Sequence, residues 1–433
     1  MRIIGCIRLL GEIINMYEGF NREKLKQRKQ DIENKYNNYK LQNLKLDMSR
    51  GKPSWDQLNL SNGIYENVDD FISDGGVDSR NYGILDGLLE MRKLFAQIIG
   101  VSPDEVIAGD SSSLNMMYDA ISRAFNHGIM GNEPWCKLDK VKFLCPSPGY
   151  DRHFAICELF KIEMITIPMD NNGPDMDMVE AIVGEDDSVK GIWCNPMYSN
   201  PTGIIYSDEV IERLAVMKTK AKDFRIFWDN AYALHHLYEE NTQLNILNEC
   251  KKAGNEDRVF MFYSTAKISF AGAGVAAIAA SKGNIENIKK LISIQTIGPN
   301  KINQLLHVRF FKDLEGVKAH MKKHAEILRP KFEAVLYILD KNLGNLNIAK
   351  WTNPKGGYFI SFDTPKGCAK EVVAKAKEAG VSFTNAGATY PYGIDPDDKN
   401  IRIAPSYPQI EELKKAMEIF CICVELVVLQ KLL

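Results

Sequence analysis

Short runs of strand-forming residues alternate with helix-length segments along the middle of the chain. Helices are predicted at Leu88–Ile99, Leu114–Phe125, Asp208–Lys220 and Ile285–Ile294. Strands that alternate with helices in this way predict an α/β fold, with a mostly parallel seven-stranded sheet and helices on both faces. The predicted strands are Val106–Ala108, Lys142–Cys145, Met164–Ile167, Gly191–Cys194, Arg225–Trp228, Val259–Tyr263 and Val275–Ala280.

The pattern changes on both sides of this region. Residues 17–45 are polar, with apolar residues at helical spacing, and predict a surface helix followed by an extended piece at 46–53. After Gln295, the chain predicts a smaller α+β domain. Its expected elements are a helical stretch at 302–341 interrupted near Pro330, strands at 357–362 and 401–404, and a helix at 411–433.

We therefore expect three parts. Residues 1–53 form an N-terminal segment that packs with the small domain, residues 54–300 form the large domain, and residues 301–433 form the small C-terminal domain.

The amino-acid composition limits the kinds of protein that the chain can be. The 433 residues are 45% hydrophobic and 25% charged, as in ordinary globular proteins, and the net charge of −2 gives no reason to expect nucleic acid or membrane binding. The nine cysteines include no CxxC pair, so we expect reduced thiols, no metal site and a cytoplasmic protein. The first fifteen residues are apolar and basic but too short to span a membrane, and Met16 is a possible natural start.

One lysine follows the predicted strand Val259–Tyr263. The strand leads into Ser264 and Thr265, and then into Lys267. Desolvation at the end of a buried strand would lower the pKa of the amine and make it a better nucleophile, as a Schiff-base lysine requires. From this segment alone, a solvated loop lysine is an equally good interpretation.

Polar residues also follow the other strands. Because ligands bind outside the carboxyl ends of open parallel sheets, these residues are candidates for one site. Serines at the start of a helix suit a phosphate, although they are also ordinary helix caps. An acid at a strand end needs a partner when it is buried. The candidates are Ser111, Ser112 and Ser113, then Tyr150, the loop Asn195–Gly203, and Asp229 with Tyr232.

Together these residues match the needs of pyridoxal phosphate. Lys267 would bind its aldehyde, and Asp229 would keep the pyridine nitrogen protonated so that the ring acts as an electron sink. Tyr150 would stack on the ring. The remaining roles are hydrogen bonds from Asn200 and Tyr232 to the ring oxygen, and phosphate contacts from Ser111, Ser112, Ser113 and Ser264.

From about Leu46 to its end, the chain resembles the class I/II aminotransferases of fold type I, which use pyridoxal phosphate. The motifs that carry the resemblance are Asn200-Pro201-Thr202-Gly203, Asp229-x-x-Tyr232 and Ser264-Thr265-Ala266-Lys267. The resemblance implies a homodimer with shared active sites, in which Tyr82 reaches the phosphate of the neighbouring subunit's cofactor and the Thr296–Lys301 loop also contributes.

The substrate site is implied in the same way. Arg402 matches the arginine that binds the substrate α-carboxylate, with Gly51 and Asn200 as further substrate contacts; a surface-strand arginine is the alternative. One departure is clear, because the family's phosphate-binding arginine is replaced here by Val275.

The segments Tyr150–His153 and Ile297–Lys301 resemble a divergent bacterial branch of aspartate aminotransferases. We therefore expect aspartate or glutamate as amino donor and 2-oxoglutarate or oxaloacetate as acceptor. Arg50, Arg152 and Lys301 are candidates to bind a distal carboxylate, and the sequence does not choose among them.

Three other functions stay open at this point. An alanine–glyoxylate transaminase and a β-lyase or decarboxylase would use the same cofactor-binding residues. A transcription regulator with this fold would need a DNA-binding module, and only about fifty residues without a helix-turn-helix pattern precede the fold.

Overall fold

A computed structural model describes residues 16–66, 70–109 and 111–433. The predictions made for residues 1–15 lie outside this part of the chain, as does Asp110 beside the predicted phosphate turn. No helix within the described residues is both long enough and apolar enough to cross a membrane.

The secondary structure follows the predicted alternation. The strands are β1 (Leu46–Asp47), β2 (Val106–Ala108), β3 (Lys142–Ser147), β4 (Glu163–Pro168), β5 (Val189–Cys194), β6 (Arg225–Asp229), β7 (Val259–Ser264), β8 (Ala276–Ala279), β9 (Lys350–Trp351), β10 (Ile360–Asp363), β11 (Val381–Ser382) and β12 (Asn400–Ile403). The helices are α1 (Arg22–Lys40), α2 (Trp55–Asn59), α3 (Leu89–Ile99), α4 (Ser113–His127), α5 (Asp151–Leu159), α6 (Met176–Glu185), α7 (Asp208–Val216), α8 (Ile246–Lys252), α9 (Lys282–Gln295), α10 (Lys301–Phe311), α11 (Leu314–Leu343), α12 (Ala369–Glu378) and α13 (Ile410–Leu432). Short 3-10 helices cover Asn62–Tyr65, Pro103–Glu105, Trp135–Lys137, Glu256–Arg258 and Pro391–Gly393.

Within the described residues, the seven strands predicted for the large domain form one sheet in the order β2-β8-β7-β6-β5-β3-β4. The β4-β3-β5-β6-β7 pairs are parallel, and β8 runs antiparallel to both of its neighbours, β7 and β2. The predicted α/β fold with a mostly parallel seven-stranded sheet is therefore confirmed.

Alternating side chains of the central strands enter two separate hydrophobic cores. On β6, Ile226 and Trp228 join one core, whereas Phe227 joins the core on the opposite face. On β7, Met261 and Phe262 divide in the same way. Because successive side chains of a strand point to opposite faces, helices on both sides can bury the whole sheet.

The helical stretch predicted at 302–341 is broken elsewhere than expected. Pro330 lies inside the continuous helix α11, so the predicted interruption there is wrong. The break falls at Lys312, whose φ of 67° ends α10, and the Asp313 side chain caps the next helix by accepting from the Gly316 N–H at 2.9 Å. Pro330 is exposed, and the helix continues past it although proline cannot donate the backbone hydrogen bond of that turn.

The N-terminal segment packs on the C-terminal part of the chain. Strand β1 pairs with β11 in parallel, and α1 shares a hydrophobic core with α11, α12 and α13. Arg28 of α1 forms an ion pair of 2.6 Å with Glu425, whose side chain is 4% exposed. Strands β12, β10 and β9 form a separate antiparallel sheet. The boundaries proposed for the three parts stay a prediction.

Candidate active site

The loops after β5, β6 and β7 lie side by side at the carboxyl edge of the sheet. The parallel register pairs Cys194 with Trp228, and Asp229 with Phe262. This register brings the Asn195–Gly203 loop, Asp229 and the turn that carries Lys267 to one place. It is the edge at which parallel α/β sheets bind ligands.

Asp229 is buried at the end of β6, with 2% of its surface exposed. Its Oδ2 atom lies 3.0 Å from Nε2 of His153, and the His153 ring stacks on Trp193 with the centroids 4.4 Å apart. The other oxygen, Oδ1, is buried and has no hydrogen-bond partner among the residues that the structure describes. An unsatisfied buried acceptor costs about 1–3 kcal/mol, so this oxygen fits the N–H donor of a ligand.

Lys267 lies half-buried in the turn after β7. Its Nζ atom is 4.9 Å from the centroid of the Tyr232 ring and 6.0 Å from that of Tyr358. Burial, with the nearby Asp229 carboxylate, raises the pKa of Tyr232 above its usual range. The phenol therefore keeps its proton at neutral pH and can donate a hydrogen bond.

A buried polar network holds the backbone of the lysine turn. The Lys267 carbonyl accepts from Tyr358 Oη at 3.4 Å and lies 3.2 Å from His235 Nε2. The Gln57 side-chain amide donates to Tyr358 Oη at 2.9 Å and lies 3.1 Å from Nδ1 of His324. Burial lowers the pKa of both His235 and His324 to about 3, so both imidazoles are neutral at physiological pH.

The predicted phosphate-binding serines lie beside the lysine turn. Ser112 caps α4, with its Oγ accepting from the Asn115 N–H at 3.3 Å, and Ser113 is the first helical residue. A Cβ atom at Gly274 would lie 2.8 Å from the Ser111 carbonyl oxygen, so these two loops are in close contact. Ser264 Oγ accepts from the Ala266 N–H at 3.0 Å.

Val275, at the position of the missing arginine, is buried. Its N–H donates to Thr265 Oγ1 at 2.9 Å, and its carbonyl accepts from the Thr265 N–H at 2.9 Å. These two bonds tie the loop after Lys267 to the end of β7. The side chain offers no charge to a phosphate.

Arg402 lies on β12 and is 7% exposed. Its guanidinium stacks over the Phe359 ring, with Cζ 4.9 Å from the centroid, and one of its Nη atoms donates to Asn200 Oδ1 at 3.2 Å. A Cβ atom at Gly51 would overlap the same ring, so glycine lets the chain pass closely over it. Two of the predicted substrate-binding residues, Arg402 and Gly51, therefore lie against Phe359, and the third, Asn200, contacts Arg402.

Tyr150 immediately precedes α5, and its ring meets the edge of His153 at a centroid distance of 5.0 Å. Burial raises the pKa of Tyr150 to about 12. The Tyr150 ring therefore lies beside the imidazole that contacts Asp229, with its phenol neutral.

Tyr82 is 81% exposed, and its loop packs against the Thr296–Lys301 loop, since a Cβ atom at Gly298 would overlap the Gly83 carbonyl. The Lys301 Nζ atom is buried against Gly83 and donates to its carbonyl at 2.9 Å. A cavity of about 610 Å³ opens next to these loops and is lined by Ser111, Gly274 and Asn303, among others. Arg50 and Arg152, the other candidates for a distal carboxylate, are exposed.

Several contacts of this site were not predicted. Asn195, within the predicted loop Asn195–Gly203, donates from Nδ2 to the Asp229 carbonyl at 2.6 Å, and Asp151 contacts Arg402 at 2.8 Å. His153 and His235 each follow a predicted site tyrosine by three residues, and this spacing was the available signal. Gln57 and Tyr358 come from distant segments and carry no local signal.

Transfer of an amino group from an amino acid to an oxo acid requires a nucleophilic amine, a buried acid and a cation that binds the substrate carboxylate. Lys267, Asp229 and Arg402 are suited to these three tasks. The family model of aspartate amino-transferases matches residues 20–433. The chain therefore belongs to this family and is an aminotransferase, which confirms the resemblance noted in the sequence.

Individual proteins of known name are also similar to this chain. An aspartate aminotransferase of Corynebacterium glutamicum is 47% identical over 414 residues, covering 94% of this chain and 95% of the relative. The crystal structure of an aspartate transaminase from the same species has a TM-score of 0.93 and 46% identity, covering 96% and 99% of the two chains. LysN, an α-aminoadipate aminotransferase of Thermus thermophilus complexed with N-(5'-phosphopyridoxyl)-L-leucine, shares the fold with a TM-score of 0.71 and 22% identity over 92% and 96%.

Proposed function

We propose that the protein is a pyridoxal-phosphate-dependent aminotransferase that takes the amino group of aspartate or glutamate and gives it to 2-oxoglutarate or oxaloacetate. The observation that carries the proposal is the carboxylate of Asp229. Within the described part of the chain, its buried Oδ1 has no partner, and its other oxygen is held by His153. A protonated pyridine nitrogen is the donor that would complete this arrangement.

The residues present fit the cofactor at each of its ends. Lys267 would hold it covalently, and Tyr150 would lie against its ring. Asn200 and Tyr232 would donate hydrogen bonds to the ring oxygen. Ser111, Ser112, Ser113 and Ser264 would bind the phosphate together with the N–H groups at the start of α4, where the helix dipole favours an anion. No arginine stands at position 275, so these neutral donors would carry more of the phosphate binding than in the family's usual pattern.

When bound, pyridoxal phosphate supplies an electron sink that stabilises negative charge at the substrate Cα. The protonated ring nitrogen would donate a hydrogen bond to Asp229 Oδ1. His153 would hold the carboxylate in place. Lys267 Nζ would take the proton from Cα as a general base and later return it as a general acid. The Lys267 Nζ atom lies 4.9 Å from the centroid of the Tyr232 ring, so the neutral Tyr232 phenol is a hydrogen-bonding group close to that amine.

Arg402 would bind the substrate α-carboxylate, with Asn200 and Gly51 beside it. The preference for a dicarboxylic substrate is supported by the 47% identity to the aspartate aminotransferase of C. glutamicum. The cation for the distal carboxylate would be Arg50 or Arg152 rather than Lys301, since the Lys301 ammonium is buried on the Gly83 carbonyl.

The active form would be a cytoplasmic homodimer. The high exposure of Tyr82 supports a role across a subunit interface. The eight described cysteines are free thiols, which is compatible with a reducing compartment.

The test of the substrate is a comparison of kcat/KM for aspartate, glutamate, alanine and an aromatic amino acid with the purified enzyme. Aspartate and glutamate should lead by one to two orders of magnitude, since a charge-assisted hydrogen bond to the distal carboxylate is worth roughly 1.5–3 kcal/mol. Replacing the distal cation should penalise aspartate far more than alanine, whereas Arg402→Ala should impair both. If alanine with glyoxylate were the best pair, the dicarboxylate assignment would be wrong.

A further inference from the structure

The Arg402 guanidinium already holds a carboxylate of the protein itself. Nη1 donates to Asp151 Oδ1 at 2.8 Å and to Asn200 Oδ1 at 3.2 Å, which engages both of its hydrogens. Nη2 donates one hydrogen to Thr384 Oγ1 at 3.3 Å. Nε is inaccessible to solvent, and none of the described residues accepts from it. A ligand therefore meets the end formed by Nη1 and Nη2, and Asp151 occupies half of it.

Of the two partners, Asp151 is the one that can move. The Arg402 side chain is 7% exposed and is fixed between Phe359 and the loop of Asn200. The Asp151 side chain is 31% exposed and belongs to the first residue of α5, where the helix dipole stabilises a carboxylate that turns toward solvent. An incoming carboxylate that binds both Nη atoms needs the hydrogen that Asp151 holds, so one of the two carboxylates must leave.

We propose that Asp151 occupies the α-carboxylate position on Arg402 until a substrate displaces it. This inference rests on the proposed function, because it takes Arg402 as the α-carboxylate site. Exchange of one carboxylate for another keeps the buried guanidinium paired at all times. Releasing Asp151 costs free energy, so every carboxylate ligand binds to Arg402 more weakly than it would without Asp151. A ligand that lacks a carboxylate cannot displace Asp151.

The experiment measures the Kd of glutarate and of butyrate for the loaded enzyme by isothermal titration calorimetry, because neither compound carries an amino or keto group that reacts. Asp151→Asn keeps the shape of the side chain and removes its charge. We expect it to lower both Kd values roughly tenfold, equivalent to about 1.4 kcal/mol. Asp151→Ala, which also removes the hydrogen bond, should lower them in the same direction.

Glu158→Gln is the matched control, because Glu158 lies exposed on the same helix and the substitution changes the net charge equally. It should leave both Kd values unchanged. Unchanged or raised Kd values in both Asp151 variants would overturn the inference, since Asp151 would then serve only to hold Arg402 in place.

Arg402→Ala separates this inference from the proposed function. If it abolishes binding while the Asp151 variants bind no tighter than wild type, only the role of Asp151 is wrong. If Arg402→Ala leaves the Kd of both compounds unchanged, the carboxylate site lies elsewhere, and the proposed function fails together with the inference.

Discussion

His153 Nε2 lies 3.0 Å from Asp229 Oδ2, and the second carboxylate oxygen is buried without a partner among the described residues. The pair joins the end of β6 to the first turn of α5. A strand end and a helix start are both rigid elements, so the acid is held in one orientation before any ligand arrives.

The charge of Asp229 should be essential to turnover. We predict that Asp229→Asn lowers kcat on the order of 100-fold or more, because a preorganised charge at the ring nitrogen is lost from a buried site. The measurement is a steady-state assay with aspartate and 2-oxoglutarate, with thermal unfolding as a check on the fold.

Asp223→Asn offers a matched control for this experiment. Asp223 is also buried, but it pairs with Lys190 at 2.7 Å and with the Trp135 indole at 2.8 Å, away from the site residues. Its substitution should cost stability and spare kcat. Transamination by Asp229→Asn at a rate near that of wild type would remove the acid from the mechanism.

The strands and their polar ends could be predicted because local sequence determines them. In β7, five consecutive strand-forming residues lead into Ser264 and Thr265, and a similar pattern ends in Asp229, the last residue of β6. The α/β alternation implies a parallel sheet, and the sheet brings those ends together. Lys267, Asp229 and Asn200 were therefore predicted to be neighbours without any knowledge of side-chain packing.

Contacts made by helices and distant loops could not be predicted in the same way. Asp151 and His153 face the site only because of how α5 is rotated on the sheet, which depends on tertiary packing. Tyr358 donates to the Lys267 carbonyl, and Gln57, 301 residues away in the sequence, donates to the Tyr358 hydroxyl. The break at Lys312 has a positive φ that no glycine or asparagine signals there, whereas Pro330 gave a local signal at an exposed position where the helix continues.

Buried neutral histidines should make the protein sensitive to acid. Burial lowers the pKa from 6.5 to about 3 for His235 and His324 and to about 4 for His307. The unfolded chain binds protons at these residues below pH 6.5 while the folded chain does not, so stability is lost as the pH falls from 6.5 toward 4. Each histidine contributes about 1.4 kcal/mol per pH unit in that window.

Denaturant unfolding between pH 7.5 and 4.5 checks this prediction. The variant His324→Gln should show a shallower loss of stability with acid than wild type, by up to one proton's contribution. The variant His127→Gln, at an exposed position, should retain the wild-type slope. Equal slopes in wild type and His324→Gln would contradict the burial of a neutral imidazole at residue 324.

Subunit mixing tests the proposed role of Tyr82. If Tyr82 acts on the neighbouring site, then Tyr82→Ala and Lys267→Ala are each impaired alone, but a mixed dimer has one complete site. Random reassortment of equal amounts makes half of the dimers mixed, so activity should recover to about a quarter of the wild-type value.

No recovery on mixing would mean that Tyr82 acts within its own subunit or not at all. Tyr337→Ala controls for loss of an exposed tyrosine, since Tyr337 is 65% exposed on α11. This variant should be fully active without any mixing.

The central claim is that the Lys267 amine carries the cofactor, and borohydride reduction tests it most directly. Protein loaded with pyridoxal phosphate is reduced, digested and mapped by mass spectrometry. Lys331, a buried lysine whose Nζ donates to the Ser406 carbonyl at 2.8 Å, is the internal control. We predict a phosphopyridoxyl adduct on the Lys267 peptide of the wild type, none on Lys331, and none on any peptide of Lys267→Ala. The same adduct at another lysine of the wild type, or its persistence in Lys267→Ala, would contradict the assignment.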